Sequence, residues 1–563
     1  MATPRRTRLC AVILLAVCAR LSAQCGAAPS AQIHRAYQQH DWQAVVRTAE
    51  SSPHRTPADN LEYGLALAHL QEWPQAYNAL LAGHRACPHV ERFDVELAGV
   101  ALQQKHLPQS ASWIRRALRL NPEDSYALDL SGTIYYLMGN VPAALQSWNR
   151  IGKPQIAQLS LDPNLRIHRL LLERAFAFAP QSTLTLSQFE STQQRLQSLG
   201  IFPTYNIALN AQPAGAFNAG FHAYELNKFG NSRTQALLST LGGLPYETIY
   251  PAYFNLHRSA ANITSLLRWD AQKRRVWIDY STPWNALPQW RWNLITDARS
   301  ENWTVRKSFT GYAPQLGALH LNRAVAGIAL TSIHSGRTQW TAGAELSDRK
   351  FTRVSPGSAL TPSLLGSGFQ LKPHASVRYR LIDAPADRLT LDTAANADLA
   401  RLWSSPPRLY GKLQGDIVLH WLPGAEGDKY EFAQRLRGGG ILGHPPFDEL
   451  YLIGMERDTN LWFRGLIGTR DGRKGSSPLA ERYLLSNTDF FRRLYTNGLI
   501  SIHAGPLFDL ARLASANTSL APAQWLSSAG AEAKLTVLGT SVLLTYGHDL
   551  RSGANAFYAT IVK

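Results

Sequence analysis

The chain has 563 residues, 45% of them hydrophobic and 17% charged, with a formal net charge of +17. That length exceeds one ordinary core and predicts two to four domains. The polar content excludes a bundle of membrane helices, and four cysteines without a CxxC pair support neither a zinc site nor a disulfide framework. Residues 1–28 read as a secretory signal. MATPRRTR is a basic start, LCAVILLAVCARL is an apolar stretch of 13 residues that Arg20 closes, and SAQCGAA offers small residues for cleavage. A buried helix is the alternative, and the stretch is too short to span a bilayer. Cys25 invites a lipoprotein reading, but Gln24 stands where such a site needs a small residue. Cys10 and Cys18 leave with the leader; taking Arg5, Arg6, Arg8 and Arg20 from +17 leaves +13. The remaining basic residues are scattered, so an exported chain of this charge is expected to meet outer-membrane lipid and lipopolysaccharide and no nucleic acid. No later apolar stretch reaches about 18 residues, so entry into a membrane would require a barrel.

Residues 30–150 repeat at a step of 34. The step joins Gly64, Ala98 and Gly132; Ala76, Ser110 and Ala144; and Leu80, Ile114 and Trp148. Small residues let two helices cross closely, larger apolar ones fill the space between neighbours, and Pro88 and Pro122 close two units. NPEDSYALDLSGTIYYLMGNVPAALQSW resembles the tetratricopeptide (TPR) repeat. Three full units and a partial first one are expected, presenting a groove to a periplasmic protein partner; a plain helical bundle is the alternative.

Residues 155–228 change character. QIAQLSL is strand-like, and helical stretches follow in NLRIHRLLLERAFAF and TLSQFESTQQRLQSLG, with Thr185 and Gln188 as a capping box and Gly200 as a C-terminal cap. Two alternating strands come next, with Tyr205, Ile207 and Leu209 on one face, then Phe217, Ala219, Phe221 and Ala223. The order β-α-α-β-β around RLQSLGIFPTYNIAL resembles a POTRA domain, which implies a sheet edge offered to unfolded polypeptide clients, with Tyr205, Ile207 and Leu209 as the client-binding strand. A generic α+β domain is the alternative.

Residues 237–563 read as strands. In TQWTAGAELS, Trp340, Ala342, Ala344 and Leu346 alternate with Gln339, Thr341, Gly343, Glu345 and Ser347. LTLDTAANADLA and KLQGDIVLHW alternate in the same way. An apolar face toward lipid and a polar face toward a lumen give this period, and closure leaves no edge in hydrocarbon. Trp284, Trp290 and Trp303 suit interfacial girdles. At about 20 residues per strand and turn, the length predicts about 16 transmembrane antiparallel strands; a soluble β domain has the same alternation.

PPFDELYLIGMERDTNLWFRGLIGTRDGRKGSSPLAERYLLSNTDFFRRLY resembles the late barrel of the outer-membrane β-barrel assembly and secretion superfamily. That superfamily includes BamA, TamA, the two-partner secretion transporters and the bacterial surface antigen barrels. The resemblance implies a long loop folded into the lumen, carrying an apolar-Arg-Gly-aromatic tetrapeptide at its tip: here Phe463, Arg464, Gly465 and Leu466. Leu466 departs from the usual aromatic. The family pairs the arginine with an acid on a closing strand; ISIHAG places His503 there. Glu532 points to the lumen by its alternation and is the expected partner, with Asp509 next. The alternative is a solvated loop arginine.

HExxH, GxSxG, P-loop and spaced metal ligands are all missing from the sequence, so no catalytic residue, metal or cofactor is expected and the chain does not read as an enzyme. The expectation is a multidomain protein: an α-helical TPR solenoid, a small α+β POTRA domain and a barrel over 237–563. It would sit in the bacterial outer membrane with its N-terminal domains in the periplasm, inserting or translocating polypeptides. Alternatives are a TPR-plus-barrel exopolysaccharide export porin, or a closed-barrel surface protein without transport activity.

Overall fold

The computed structural model describes residues 25, 28–230, 237, 240–307, 314–355, 357, 359–424, 429–497, 500–521, 523–537 and 540–562. Most of the leader segment lies outside the described residues. The chain forms two compact units, residues 1–155 with 183–186, and residues 156–182 with 187–563.

The first unit is helical: α1 Ala31–Gln38, α2 Trp42–Ser51, α3 Pro57–His69, α4 Trp73–Ala86, α5 Glu91–Gln103, α6 Leu107–Leu120, α7 Ser125–Leu137 and α8 Val141–Trp148. The starts of α3, α5 and α7 lie 34 residues apart, as do those of α4, α6 and α8. Within each pair a small residue lets the second helix come close. A Cβ on Gly64 would stand 2.6 Å from Leu80 Cγ, and one on Gly132 2.2 Å from Trp148 Nε1. At the middle pair the Ser110 hydroxyl donates to the Ala98 carbonyl at 2.7 Å. Cys25 forms a disulfide with Cys87. This corrects the expectation of no disulfide: a leader ending at residue 28 would remove a cysteine that the folded unit uses. Spacing could not disclose the pair, because its partners are 62 residues apart.

A small α+β layer follows: β1 Gln155–Leu161, α9 Arg169–Ala175, β2 Ser182–Thr183, α10 Leu186–Leu199, β3 Thr204–Ala211 and β4 Ala216–Tyr224. Its sheet runs β2-β1-β4-β3, so β3 is an outer edge. Ile207, Leu209, Phe217, Ala219 and Phe221 are buried, and the Phe221 ring meets Phe176 and Phe202 edge-on. Gly200 ends α10 in the left-handed region at φ 68°. The outer face of α10 meets barrel turns. Ser191 accepts from the Gly336 N–H at 2.9 Å, and Glu190 lies 3.6 Å from Arg337 and faces Asp383.

The barrel begins with β5 Thr248–Ile249, β6 Ala252–Leu256, β7 Ala261–Trp269, β8 Lys273–Trp284, β9 Leu287–Arg306, β10 Gln315–Ile333, β11 Thr338–Ser355, β12 Gly368–Ala384, β13 Leu389–Trp403, β14 Arg408–Trp421 and β15 Tyr430–Gly443. Short segments follow: β16 Tyr451–Leu452, β17 Thr469–Arg470, β18 Arg473–Lys474 and β19 Leu479–Ala480. β20 Arg482–Thr496, β21 Ile500–Ala514, β22 Trp525–Val537, β23 Thr540–Asp549 and β24 Asn555–Val562 complete it. β5 and β6 pair in turn with the same β7 and form one stave. β15 pairs directly with β20, leaving β16 to β19 in the intervening loop. Fifteen staves therefore close the barrel among the described residues, with β24 beside β5.

Polarity is inverted relative to a water-soluble core. Val276, Ile278, Leu294, Ile328, Leu346 and Leu413 are exposed on the outer wall, whereas Arg268, Asp297, Glu301, Arg349 and Asp509 are buried inside. This arrangement suits hydrocarbon outside and a polar lumen within. Trp284, Trp290, Trp292 and Trp340 cluster at one rim, with ring centroids 5.6–6.2 Å apart. Trp303 is not part of a girdle. It points inward, buried, with its ring 5.2 Å from Phe447. The parity of β9 carries Trp303 with Arg299 and Glu301 to the inside, opposite to Trp290 and Trp292.

Candidate functional site: the loop inside the barrel

The segment between β15 and β20, residues 444–481, packs inside the barrel. Phe447, Ile453, Leu461, Phe463 and Leu466 form its apolar core together with Leu321 and Tyr410 of the wall. Two strand pairs stiffen it, β16 with β19 and β17 with β18; Lys474 pairs in parallel with Trp303 of β9.

Charge fixes its orientation. Four loop carboxylates face a basic wall. Asp448 accepts from Arg323 at 3.0 Å and Arg349 at 2.8 Å. Glu449 takes Arg323 at 3.1 Å, Arg349 at 3.2 Å and Lys412 at 3.2 Å. Glu456 meets Lys273 at 3.2 Å. Asp458 is held by Arg268 at 3.0 Å, Arg275 at 2.7 Å and the loop's own Lys474 at 2.8 Å. The loop's Arg464 faces the opposite, acidic wall formed by β20 to β22. The loop thus spans the lumen as a dipole between walls of unlike sign, the arrangement that offsets the desolvation of buried charge.

Arg464 is 4% exposed. Its Nε donates to Asp509 at 3.0 and 3.1 Å, its Nη2 to the same carboxylate at 2.5 Å, and its backbone N–H to Asp509 Oδ2 at 2.7 Å. Its Nη1 donates to Asp489 and lies 3.2 Å from Glu532 Oε1. Asp509 also accepts from Asn487 at 2.7 Å and Ser528 at 3.3 Å, and Glu532 accepts from Thr545 at 2.8 Å. Phe463 is fully buried, and Leu466 fills the position expected to be aromatic. Gly465 lies flat on the wall, where a Cβ would stand 2.8 Å from Ser528 Cβ; one on Gly547 would stand 2.0 Å from the Arg464 carbonyl oxygen. Backbone meets backbone there, and only glycine permits it.

The structure brings Phe463, Arg464, Gly465, Leu466, Asp509 and Glu532 together. The ranking changes. Asp509 is the principal acid, Glu532 the lateral one, and Asp489 was missed by sequence reasoning. Alternation in FDLARL and NTDFF places both aspartates inward, but the registers that bring β20 and β21 together are set by pairing and not by parity. His503 does not join them. It lies six residues before Asp509 on β21, roughly 20 Å along the strand, in register with Lys534. Tyr205, Ile207 and Leu209 lie on β3, the outer strand of its sheet. Ile207 and Leu209 are buried in their own domain and Tyr205 donates to the Gln193 carbonyl at 3.3 Å, so β3 offers its backbone edge and the alternate Asn206 and Asn210.

Between loop and basic wall a cavity of about 570 Å³ remains, lined by Arg299, Glu301, Arg323, Lys412, Asp448 and Asp458.

Fold and site together define a closed barrel of antiparallel hairpins, apolar outside, with a long loop ion-paired across its lumen. No family model and no curated protein matches the chain. Among solved structures it is similar to BamA from Haemophilus ducreyi lacking POTRA domains 1–3, at a TM-score of 0.42 and 10% identity over 72% of this chain and 84% of that one. It is similar to CdiB from Acinetobacter baumannii, at 0.45 and 11% over 72% and 73%, and to CdiB from Escherichia coli, at 0.49 and 11% over 73% and 76%.

Proposed function

We propose that this chain is a bacterial outer-membrane protein that inserts or translocates polypeptides. The observation that carries the proposal is the loop ion-paired across the lumen through Arg464. A passive pore has no need of a charged segment filling it, whereas a barrel that must stay sealed until engaged does. The small α+β domain is read as a POTRA module: its central β4 leaves β3 as an outer edge, where main-chain hydrogen bonds can hold an extended client with little sequence demand. The helical pairs are read as TPR units that recruit a periplasmic protein. An exopolysaccharide porin would need a lumen open to a polymer, and the loop stands against that reading.

The test is photo-crosslinking in cells from Asn206 and Asn210, exposed positions on β3, with identification of captured chains. Capture of unfolded outer-membrane or secreted polypeptides supports the proposal. Absence of polypeptide capture from either position, with the protein folded in the outer membrane, would overturn it.

A further inference from the structure

β4 ends at Tyr224. The next residue, Glu225, is 6% exposed and sits between the small domain and the first barrel stave. Its Oε2 accepts from the Arg166 N–H at 2.6 Å, and its Oε1 from the Ile167 N–H at 2.8 Å and from Asn255 Nδ2 at 2.9 Å. Asn255 belongs to β6, in the left-handed region at φ 55°, which asparagine tolerates. Its Nδ2 also donates to Asn227 at 2.8 Å, and its Oδ1 accepts from the Ala260 N–H at 3.0 Å. Asn262 of β7 accepts from the Asn255 N–H at 3.1 Å and donates to the Leu199 carbonyl that ends α10 at 2.8 Å. Lys228 then pairs with Phe254 of β6 through two backbone hydrogen bonds, at 2.9 and 2.6 Å. Glu225, Asn262 and Lys228 tie the connecting segment and α10 to β6 and β7, while the bonds of Asn255 to Ala260 and Asn262 fix the barrel side of the knot.

We infer that Glu225 and Asn255 are positioning residues that couple the small domain to stave β5–β6, so that displacement of the sheet ending in β4 is carried into the stave that borders β24. This rests on the function proposed above, since the coupling matters when that sheet holds a client. The donor pattern is directional: a carboxylate accepts three N–H groups, and the Asn255 amide must present nitrogen to it. Glu225→Gln turns one acceptor into a donor among donors. Asn255→Asp keeps the left-handed backbone and the acceptor for Ala260 while facing a second carboxylate at Glu225. With both substitutions together, the new amide nitrogen on the β4 side can donate to the new carboxylate on β6, and a turned Asn227 amide can donate to it as well; the pair is matched with reversed polarity, and only the Ile167 N–H loses its acceptor.

The test uses full-length protein in lipid nanodiscs without client and pulsed electron–electron distances from two spin-label pairs. Asn206→Cys with Asn285→Cys reports the small domain against a barrel turn. Ala271→Cys with Arg551→Cys reports the far ends of β7 and β24. Each single variant is expected to broaden both distributions about twofold, and the double variant to narrow both again. Ser191→Ala, which loosens α10 at the distant turn, is expected to broaden the first pair alone. If Glu225→Gln and Asn255→Asp broaden only the first pair, or neither, or the double variant is no narrower than the singles, the coupling is overturned. Because no client is present, that failure leaves the crosslinking result on β3 standing or falling by itself.

Discussion

At Arg464 one guanidinium is shared by three carboxylates, and removing it leaves them buried without their cation. Arg464→Ala is expected to cost about 3–5 kcal/mol, the range for breaking a buried pair. The loop should then become cleavable by trypsin at Arg470, Arg473 and Lys474 in a barrel that otherwise resists. Arg464→Lys should not restore protection, since an ammonium cannot serve Asp509 and Asp489 as a fork does. Asp509→Asn should release the loop more than Glu532→Gln, because Asp509 takes Nε, Nη2 and the backbone N–H while Glu532 meets a single nitrogen. A double-mutant cycle is expected to give Arg464 with Asp509 a coupling above about 1 kcal/mol; equal coupling to both acids would contradict the geometry. The arginine itself was legible in the sequence, from the resemblance of its loop. Its partners were legible only as inward-facing candidates, because strand parity gives direction and not depth.

At the scale of elements, α10 against the barrel turns is a titratable contact. Burial, with the Asp383 carboxylate alongside, pushes the Glu190 carboxyl up to about 8, and Arg337 and Arg380 oppose the rise. A carboxyl raised in the docked state holds a proton that it gives up on release. Docking is therefore tightest at low pH and weakens as pH rises from the ordinary carboxyl range through about 8. The protection of residues 186–199 against hydrogen exchange, taken relative to the intrinsic rate at each pH, should be greater at pH 6 than at pH 8, and Glu190→Gln should flatten that difference; an unchanged difference in the variant would assign it to another group. In the helical unit, the step of 34 gave the close crossings directly, since Gly64 and Gly132 are small because Leu80 and Trp148 lie on them. Pro74, Pro108 and Pro142, each at the second position of the second helix of a pair, mark the same step and went unread. Proline near a helix start is as informative as proline beyond its end. Trp303 was misplaced because girdle and lumen tryptophans share a composition and differ only in parity.

At the scale of the whole chain, the second unit contains its own sheet, barrel and loop, so deletion of residues 30–150 is expected to leave a barrel that still migrates faster before boiling than after. The first turn of α10 should fray by about 1 kcal/mol, because Asn149 accepts from the Leu186 N–H and would be lost. Failure of the truncated chain to give the heat-dependent shift in detergent would make the helical unit part of the barrel's folding. The barrel class followed from alternation, which is repeated in every stave; the odd stave count among the described residues did not, since length fixes a number of strands only to within a turn or two. That count means the first and last staves point the same way, and they meet across some 300 residues of chain, from Thr248 to Val562. Neighbouring staves can zip as hairpins, but such a distant contact must wait. The loop offers a way to bring it about. Its acids pair with cations of β7, β8, β10, β11 and β14, its arginine with acids of β20 to β22, and each set meets its counter-charges only when both walls have curled toward it. The segment that fills the finished lumen would thus serve during biogenesis as a mandrel on which the open sheet is rolled until its two edges find each other.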